Sequence, residues 1–168
     1  MNITEIALIL GTLTHEPALA MEPADLLCLS RNVYHEARDQ GAEGMHAVAY
    51  VTTRRLRDGR WGATYCEVVR SPNQFSWYSD GKPDAPKDMV AFRRALAAAV
   101  NVVLERVPDP SNSAAYYYAH DLVQPRWAKD MLITARVGGH TFGTDCERIA
   151  YEAPLCSPMP PKNPDRPI

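Results

Sequence analysis

From Leu26 onward, apolar residues recur at spacings of three and four: Leu26, Leu29, Val33 and then Glu36 fall on one face of a helix. Glu22-Pro23-Ala24-Asp25 opens that helix, with proline suited to its first turn. Gly41 breaks the run after Asp39-Gln40, and a second helix is predicted over 44–56, with Met45, Val48, Ala49, Thr52 and Leu56 on a common face. Between Trp61 and Asp80 the periodicity is lost. Pro72, Asn73, Ser76 and Ser79 are interleaved with Phe75, Trp77 and Tyr78, which predicts loop, and residues 80–87 continue it with Gly81, Pro83 and Pro86. A third helix is predicted over 89–106, rich in Ala, Val and Leu and ended by Pro108 and Pro110. Residues 114–118 fit a strand or a helical turn, while 137–142, with Gly138-Gly139, fit a strand or turn where backbone comes close to something.

The two ends carry weaker patterns. The first twenty residues hold a short apolar core preceded by Glu5 rather than by a positive charge, and His15, Glu16 and Pro17 interrupt them. They read as a mature helix with a loop rather than as a secretory leader. Prolines at 158, 160, 161, 164 and 167 make the last segment an extended tail. One domain over 1–151 with a tail over 152–168 is therefore expected.

Composition excludes several classes. The chain has 168 residues, 46% hydrophobic and 23% charged, with a net charge of −2. No basic excess is available for a phosphate backbone, so no nucleic-acid partner is expected. The apolar run Ile6–Leu10 is far too short to insert stably in a membrane. Four cysteines, at 28, 66, 146 and 156, lack any C-x-x-C pair, so neither a disulfide framework nor a structural zinc site is expected. Cys28, inside an apolar helical pattern, reads as a small core residue, and Cys146 could pair with Cys156 in an oxidising compartment.

Glu36 is the first candidate for chemistry. A carboxylate on an apolar helix face, at the negative end of the helix dipole, is pushed towards its protonated form and becomes a proton donor near neutrality. The competing reading is a structural ion pair with Arg38, Arg54 or Arg55. His35-Glu36 invites a zinc site, but the H-E-x-x-H helix needs histidine where Asp39 stands, and the remaining histidines are scattered. No metal or cofactor is expected. Two aromatic clusters, Gln74-Phe75-Ser76-Trp77-Tyr78 and Tyr116-Tyr117-Tyr118, with Trp127 after Pro125, suit either pyranose rings or a core patch under a long loop.

The segment Asn32-Val-Tyr-His-Glu-Ala-Arg38, then Glu43-Gly44, Ala47-Val-Ala49 and Arg55, resembles the SleB/CwlJ-type cell wall hydrolase family. The resemblance continues through Cys66-Glu-Val-Val69, Gln74-Phe-Ser76, the run 114–118, Pro125-Arg-Trp127 and Gly138-Gly-His-Thr-Phe142, spanning about residues 26–142. It departs at Arg54-Arg55, where the family commonly has Asn-Arg, and at Ala119-His120, where it often has Tyr-Asn.

The resemblance implies a lysozyme-like α+β fold, mainly helical, with a small hairpin or sheet lining the cleft. It also implies that Glu36 is the catalytic acid. The expected reaction is cleavage of the β-1,4 bond between N-acetylmuramic acid and N-acetylglucosamine in peptidoglycan strands. Because Glu43, Glu67, Asp80 and Asp121 form no recognisable second motif, lytic transglycosylation giving 1,6-anhydromuramyl ends is favoured over hydrolysis. Gln74, Phe75, Ser76, Tyr116, Tyr117, Tyr118 and Trp127 are the expected substrate-binding residues; His140 reads as a structural hydrogen-bonder.

Two other classes stay open: a zinc-dependent amidase or peptidase, and a non-catalytic wall-binding module. A monomeric phage endolysin, moving from host cytoplasm to periplasm or wall, fits a short chain with no clear leader. A bacterial envelope enzyme is the other setting.

Overall fold

The structure, a computed structural model, describes residues 4–5, 8 and 21–145. Residues 4, 5 and 8 are helical; the remainder of the N-terminal stretch, the Cys146–Cys156 pairing and the proline-rich tail lie outside the described residues.

Helix α1 runs Pro23–Ala37 and buries Leu26, Leu29 and Val33 completely, as its spacing predicts. Helix α2 runs Gly41–Asp58, three residues earlier and two later than the predicted 44–56. It ends where Gly59 takes φ +77° and donates its N–H to the carbonyls of Arg55 and Leu56, a left-handed cap that glycine adopts without strain. Helix α3, Tyr65–Arg70, falls inside the stretch predicted as loop; Thr64 caps it by accepting the Glu67 N–H at 3.1 Å. Helix α4, Met89–Val103, stops short of the predicted Arg106, with Glu105 at φ +51°. Its start is set by Asp88, whose carboxylate accepts the N–H groups of Val90 and Ala91. Ala91, Ala95, Ala98 and Ala99 give α4 a small-residue face that lets it pack closely on α1 and α2.

A three-stranded antiparallel sheet of order β1-β3-β2 completes the fold: β1 Tyr116–Ala119, β2 Met131–Val137 and β3 His140–Asp145. The α+β, mainly helical expectation stands. The run 114–118 resolves into β1, and β2 was not anticipated. Gly138 and Gly139 turn β2 into β3, and what their backbone approaches is Gln40. Its amide oxygen accepts the Gly139 N–H at 2.6 Å, and a Cβ on Gly138, held at φ +55°, would collide with it. This contact ties the hairpin to the α1–α2 turn.

One cysteine expectation is overturned. Cys28 is no free core thiol: it is disulfide-bonded to Cys66 across 38 residues, joining α1 to α3. Sequence periodicity places a residue on a face but does not report which distant thiol faces it. Asp25 reinforces the junction by accepting the Cys66 N–H at 3.1 Å. Closing a loop of this length restricts the unfolded chain, so reduction, or the pair Cys28→Ala/Cys66→Ala, is expected to cost about 2–4 kcal/mol, read by urea unfolding with and without reductant.

Candidate active site

Glu36 sits in the last turn of α1, on the buried face that its spacing from Leu29 and Val33 dictates, yet it opens into a cleft of about 510 Å³. The side walls come from α2 (Arg55), the segment after α3 (Asn73, Gln74, Ser76, Ser79), β1 and β3 (Tyr117, Tyr118, Ala119, His140), and the stretch before β2 (Val123, Pro125, Trp127). Six predicted residues, Glu36, Gln74, Ser76, Tyr117, Tyr118 and Trp127, are thus brought to one cleft. Phe75 and Tyr116 are not. Phe75 is buried with Val68 and Val69, and Tyr116 turns to donate its hydroxyl to Asp145 at 3.0 Å.

Strand alternation explains the tyrosines. Tyr116 and Tyr118 share a face and both meet the Trp127 ring, at 6.1 and 5.9 Å between centroids. Tyr117 points the other way, against Phe142 and His140, and its hydroxyl donates to Glu36 Oε2 at 2.9 Å.

Burial is the largest influence on Glu36 and raises its pKa above the ordinary 4.5; the Tyr117 hydrogen bond and the Arg55 charge pull it back only in part. Glu36 is the one carboxylate lining the cleft among the described residues. The other four carboxylates considered from sequence lie elsewhere. Glu43 is exposed, Glu67 accepts the Ala63 N–H, Asp80 pairs with Lys82, and Asp121 stands beside His120. Among the described residues no three His, Cys, Asp or Glu side chains gather to hold a metal ion.

Arg55 forms no ion pair with Glu36. It is 5% exposed, and its guanidinium carbon lies 5.2–5.8 Å from the ring centroids of Phe75, Trp61 and Tyr116. Its Nε donates to the Ala115 carbonyl at 2.9 Å, while Nη1 is buried without a hydrogen-bond partner. Arg54 instead pairs with Asp109 at 2.7 Å. Arg55 was missed as a cleft residue although its position, three after Thr52, puts it on the buried face of α2. Asn73 and Ser79 gave no separate signal. His140, read as a hydrogen-bonder, lines the cleft with its Nδ1 buried and unpartnered, and burial lowers its pKa.

A family model described as cell wall hydrolase matches residues 39–143. The chain belongs to the cell wall hydrolase family. The matched stretch begins just past Glu36, so the case for that residue rests on the geometry above. The spore cortex-lytic enzyme of Halalkalibacterium halodurans is 31% identical over 118 residues, covering 70% of this chain and 34% of the relative. That of Bacillus subtilis is 30% identical over 118 residues, 70% of this chain and 37% of the relative. The chain therefore spans little more than a third of these curated relatives. The catalytic domain of the Bacillus cereus SleB protein superposes with a TM-score of 0.64 at 23% identity, over 75% of this chain and 94% of that one. The catalytic domain of the germination-specific lytic transglycosylase SleB from Bacillus anthracis gives a TM-score of 0.58 at 25% identity, over 71% and 93%.

In this cell wall hydrolase the phenol of Tyr117 favours the charged form of Glu36. Tyr117→Phe removes that bond, so the pKa of Glu36 rises. The alkaline limb of the pH–rate profile is expected to move to higher pH, with kcat falling about tenfold from lost orientation of the carboxyl group. A limb that stays in place or moves to lower pH contradicts the role.

Proposed function

We propose that the chain cleaves the β-1,4 bond between N-acetylmuramic acid and N-acetylglucosamine in peptidoglycan by lytic transglycosylation. The observation that carries this reading is the single desolvated carboxyl group in the cleft, Glu36, with no second cleft carboxylate beside it among the described residues. Protonated Glu36 gives its proton to the glycosidic oxygen as the bond from muramyl C1 to that oxygen breaks through an oxocarbenium-like state. The muramyl 6-hydroxyl oxygen then bonds to C1, and the Glu36 carboxylate takes the hydroxyl proton, which restores the acid.

The Bacillus anthracis relative is itself named a lytic transglycosylase, which supports the same chemistry here. Tyr118 and Trp127 offer aromatic surface to sugar rings, and Gln74 and Ser76 offer hydrogen bonds to N-acetyl and hydroxyl groups. The chain acts as a monomer on glycan strands, in the setting of a phage endolysin. Lysis of a host upon expression with a separate membrane-pore protein, and not without it, tests that setting.

Digestion of purified peptidoglycan followed by mass spectrometry tests the reaction. Anhydromuramyl ends are expected. New reducing ends at muramic acid would mean hydrolysis, and free amino groups without new sugar ends would mean an amidase or peptidase. Wall binding without released fragments would leave only a binding module.

A further inference from the structure

A second hollow of about 410 Å³ lies across the short 3-10 turn Ser76–Ser79 from the cleft. The turn is a partition: Ser76 and Ser79 line the cleft, while Trp77 lines the second hollow. Helix α1 serves both, since Glu36 lines the first and its neighbour His35 the second.

The wall of this hollow is aromatic and fixed. The His35 ring stacks on Trp77 with centroids 4.3 Å apart and planes 13° from parallel, and the Tyr34 ring meets His35 edge-on at 5.0 Å. Trp77 Nε1–H donates to Asn32 Oδ1 at 3.0 Å, and Asn32 in turn donates to Thr52 Oγ1 at 3.0 Å. The Tyr34 hydroxyl accepts the backbone N–H groups of Lys87 and Asp88.

Charges of both signs stand around this surface. Lys82 pairs with Asp80 at 3.1 Å and Asp88 is occupied capping α4. Arg38, Lys87 and Asp84 line the hollow with no ion pair among the described residues. A polyanion would meet repulsion from Asp84 and Asp80, and a neutral sugar would offer no counter-charge to Lys87 or to Arg38, whose guanidinium carbon lies 5.2 Å from the Tyr34 ring centroid. An extended peptide that carries carboxylates and an ammonium group matches both signs and lays its backbone on the aromatic wall.

We propose, resting on the glycan-cleaving reading above, that this hollow binds the stem peptide hanging from the muramyl residue at the cleavage point. A peptide of three residues reaches about 10 Å when extended, enough to pass over a one-turn partition. Arg38 and Lys87 take its carboxylates and Asp84 takes its ammonium group. The enzyme then selects strands whose muramyl residue still carries its peptide.

The test uses the full chain and Arg38→Ala/Lys87→Ala, which alters two exposed side chains and leaves the Lys87 backbone N–H in place. KM and kcat are measured on soluble glycan strands bearing stem peptides and on the same strands stripped of peptides by an amidase. On peptide-bearing strands the variant is expected to raise KM about 5–20-fold at unchanged kcat. On stripped strands variant and parent are expected to coincide, both with the raised KM. No loss on peptide-bearing strands, or equal loss on both, overturns the proposal.

A second readout needs no turnover. Free L-alanyl-γ-D-glutamyl-diaminopimelate is titrated while the Trp77 indole N–H resonance is followed in the parent and in Glu36→Gln. A saturable shift, lost in Arg38→Ala/Lys87→Ala, is expected. Absence of the shift in the parent, or the same shift with a polyphosphate chain, overturns the site. A failed glycan-cleaving reading would show in the product analysis, independently of this titration.

Discussion

Glu36→Gln is expected to slow the release of anhydromuramyl ends about 10³–10⁴-fold while leaving a folded protein. The amide oxygen of glutamine still accepts the Tyr117 hydroxyl, so the local geometry survives, but no proton is available for the leaving oxygen and no carboxylate for the muramyl hydroxyl. Stability should move the other way. Burial raises the folded-state pKa of Glu36 above its ordinary 4.5, so the folded protein holds this proton at a pH where the unfolded chain has lost it. The contribution is fully present below the unfolded value and is lost as pH rises through the folded one. Glutamine has no proton to lose, so the variant gains on the parent between mildly acidic and alkaline pH and not below the ordinary glutamate value. Product analysis and urea unfolding at pH 4 and pH 8 check both halves. Full activity in Glu36→Gln would sink the assignment of the acid.

Arg55→Ala should be the most destabilising single change to the cleft, at about 3–5 kcal/mol. The buried guanidinium fills space between three aromatic rings and satisfies the Ala115 carbonyl, itself on a fully buried residue. Truncation leaves a cavity and an unsatisfied acceptor at the base of β1. Arg55→Lys should recover little, since an ammonium group lacks the planar face that stacks and the Nε–H that donates to the Ala115 carbonyl. Loss of the positive charge also raises the pKa of Glu36 further, moving the alkaline limb of activity to higher pH. Urea denaturation reads the stability term; a cost under about 1 kcal/mol would mean that the aromatic cage collapses onto itself without Arg55.

What was legible in the sequence followed from periodicity. Leu26, Leu29, Val33 and Glu36 share a face at spacings of three and four, and the buried carboxylate is where that pattern puts it. What was illegible has three physical causes. Helix α3 has only six residues, too few to show a period, and its cap at Thr64 is a single polar side chain. Strand β2 alternates weakly because most of its residues are only partly buried. The Cys28–Cys66 bond and the Arg55 cage join distant parts of the chain, and an amphipathic pattern names a face but not its partner. The aromatic clusters lie between these cases. Their composition marked the neighbourhood of the cleft, but the alternation of β1 decides that Tyr116 turns to Asp145 while Tyr117 reaches Glu36.

The Tyr117–Glu36 hydrogen bond joins residues 81 positions apart, one at the end of α1 and the other on β1. The acid is therefore seated only when β1 docks on the helices. During synthesis the carboxyl group leaves the ribosome long before its partner does, and an incomplete chain carries the reactive residue without the orientation that makes it reactive.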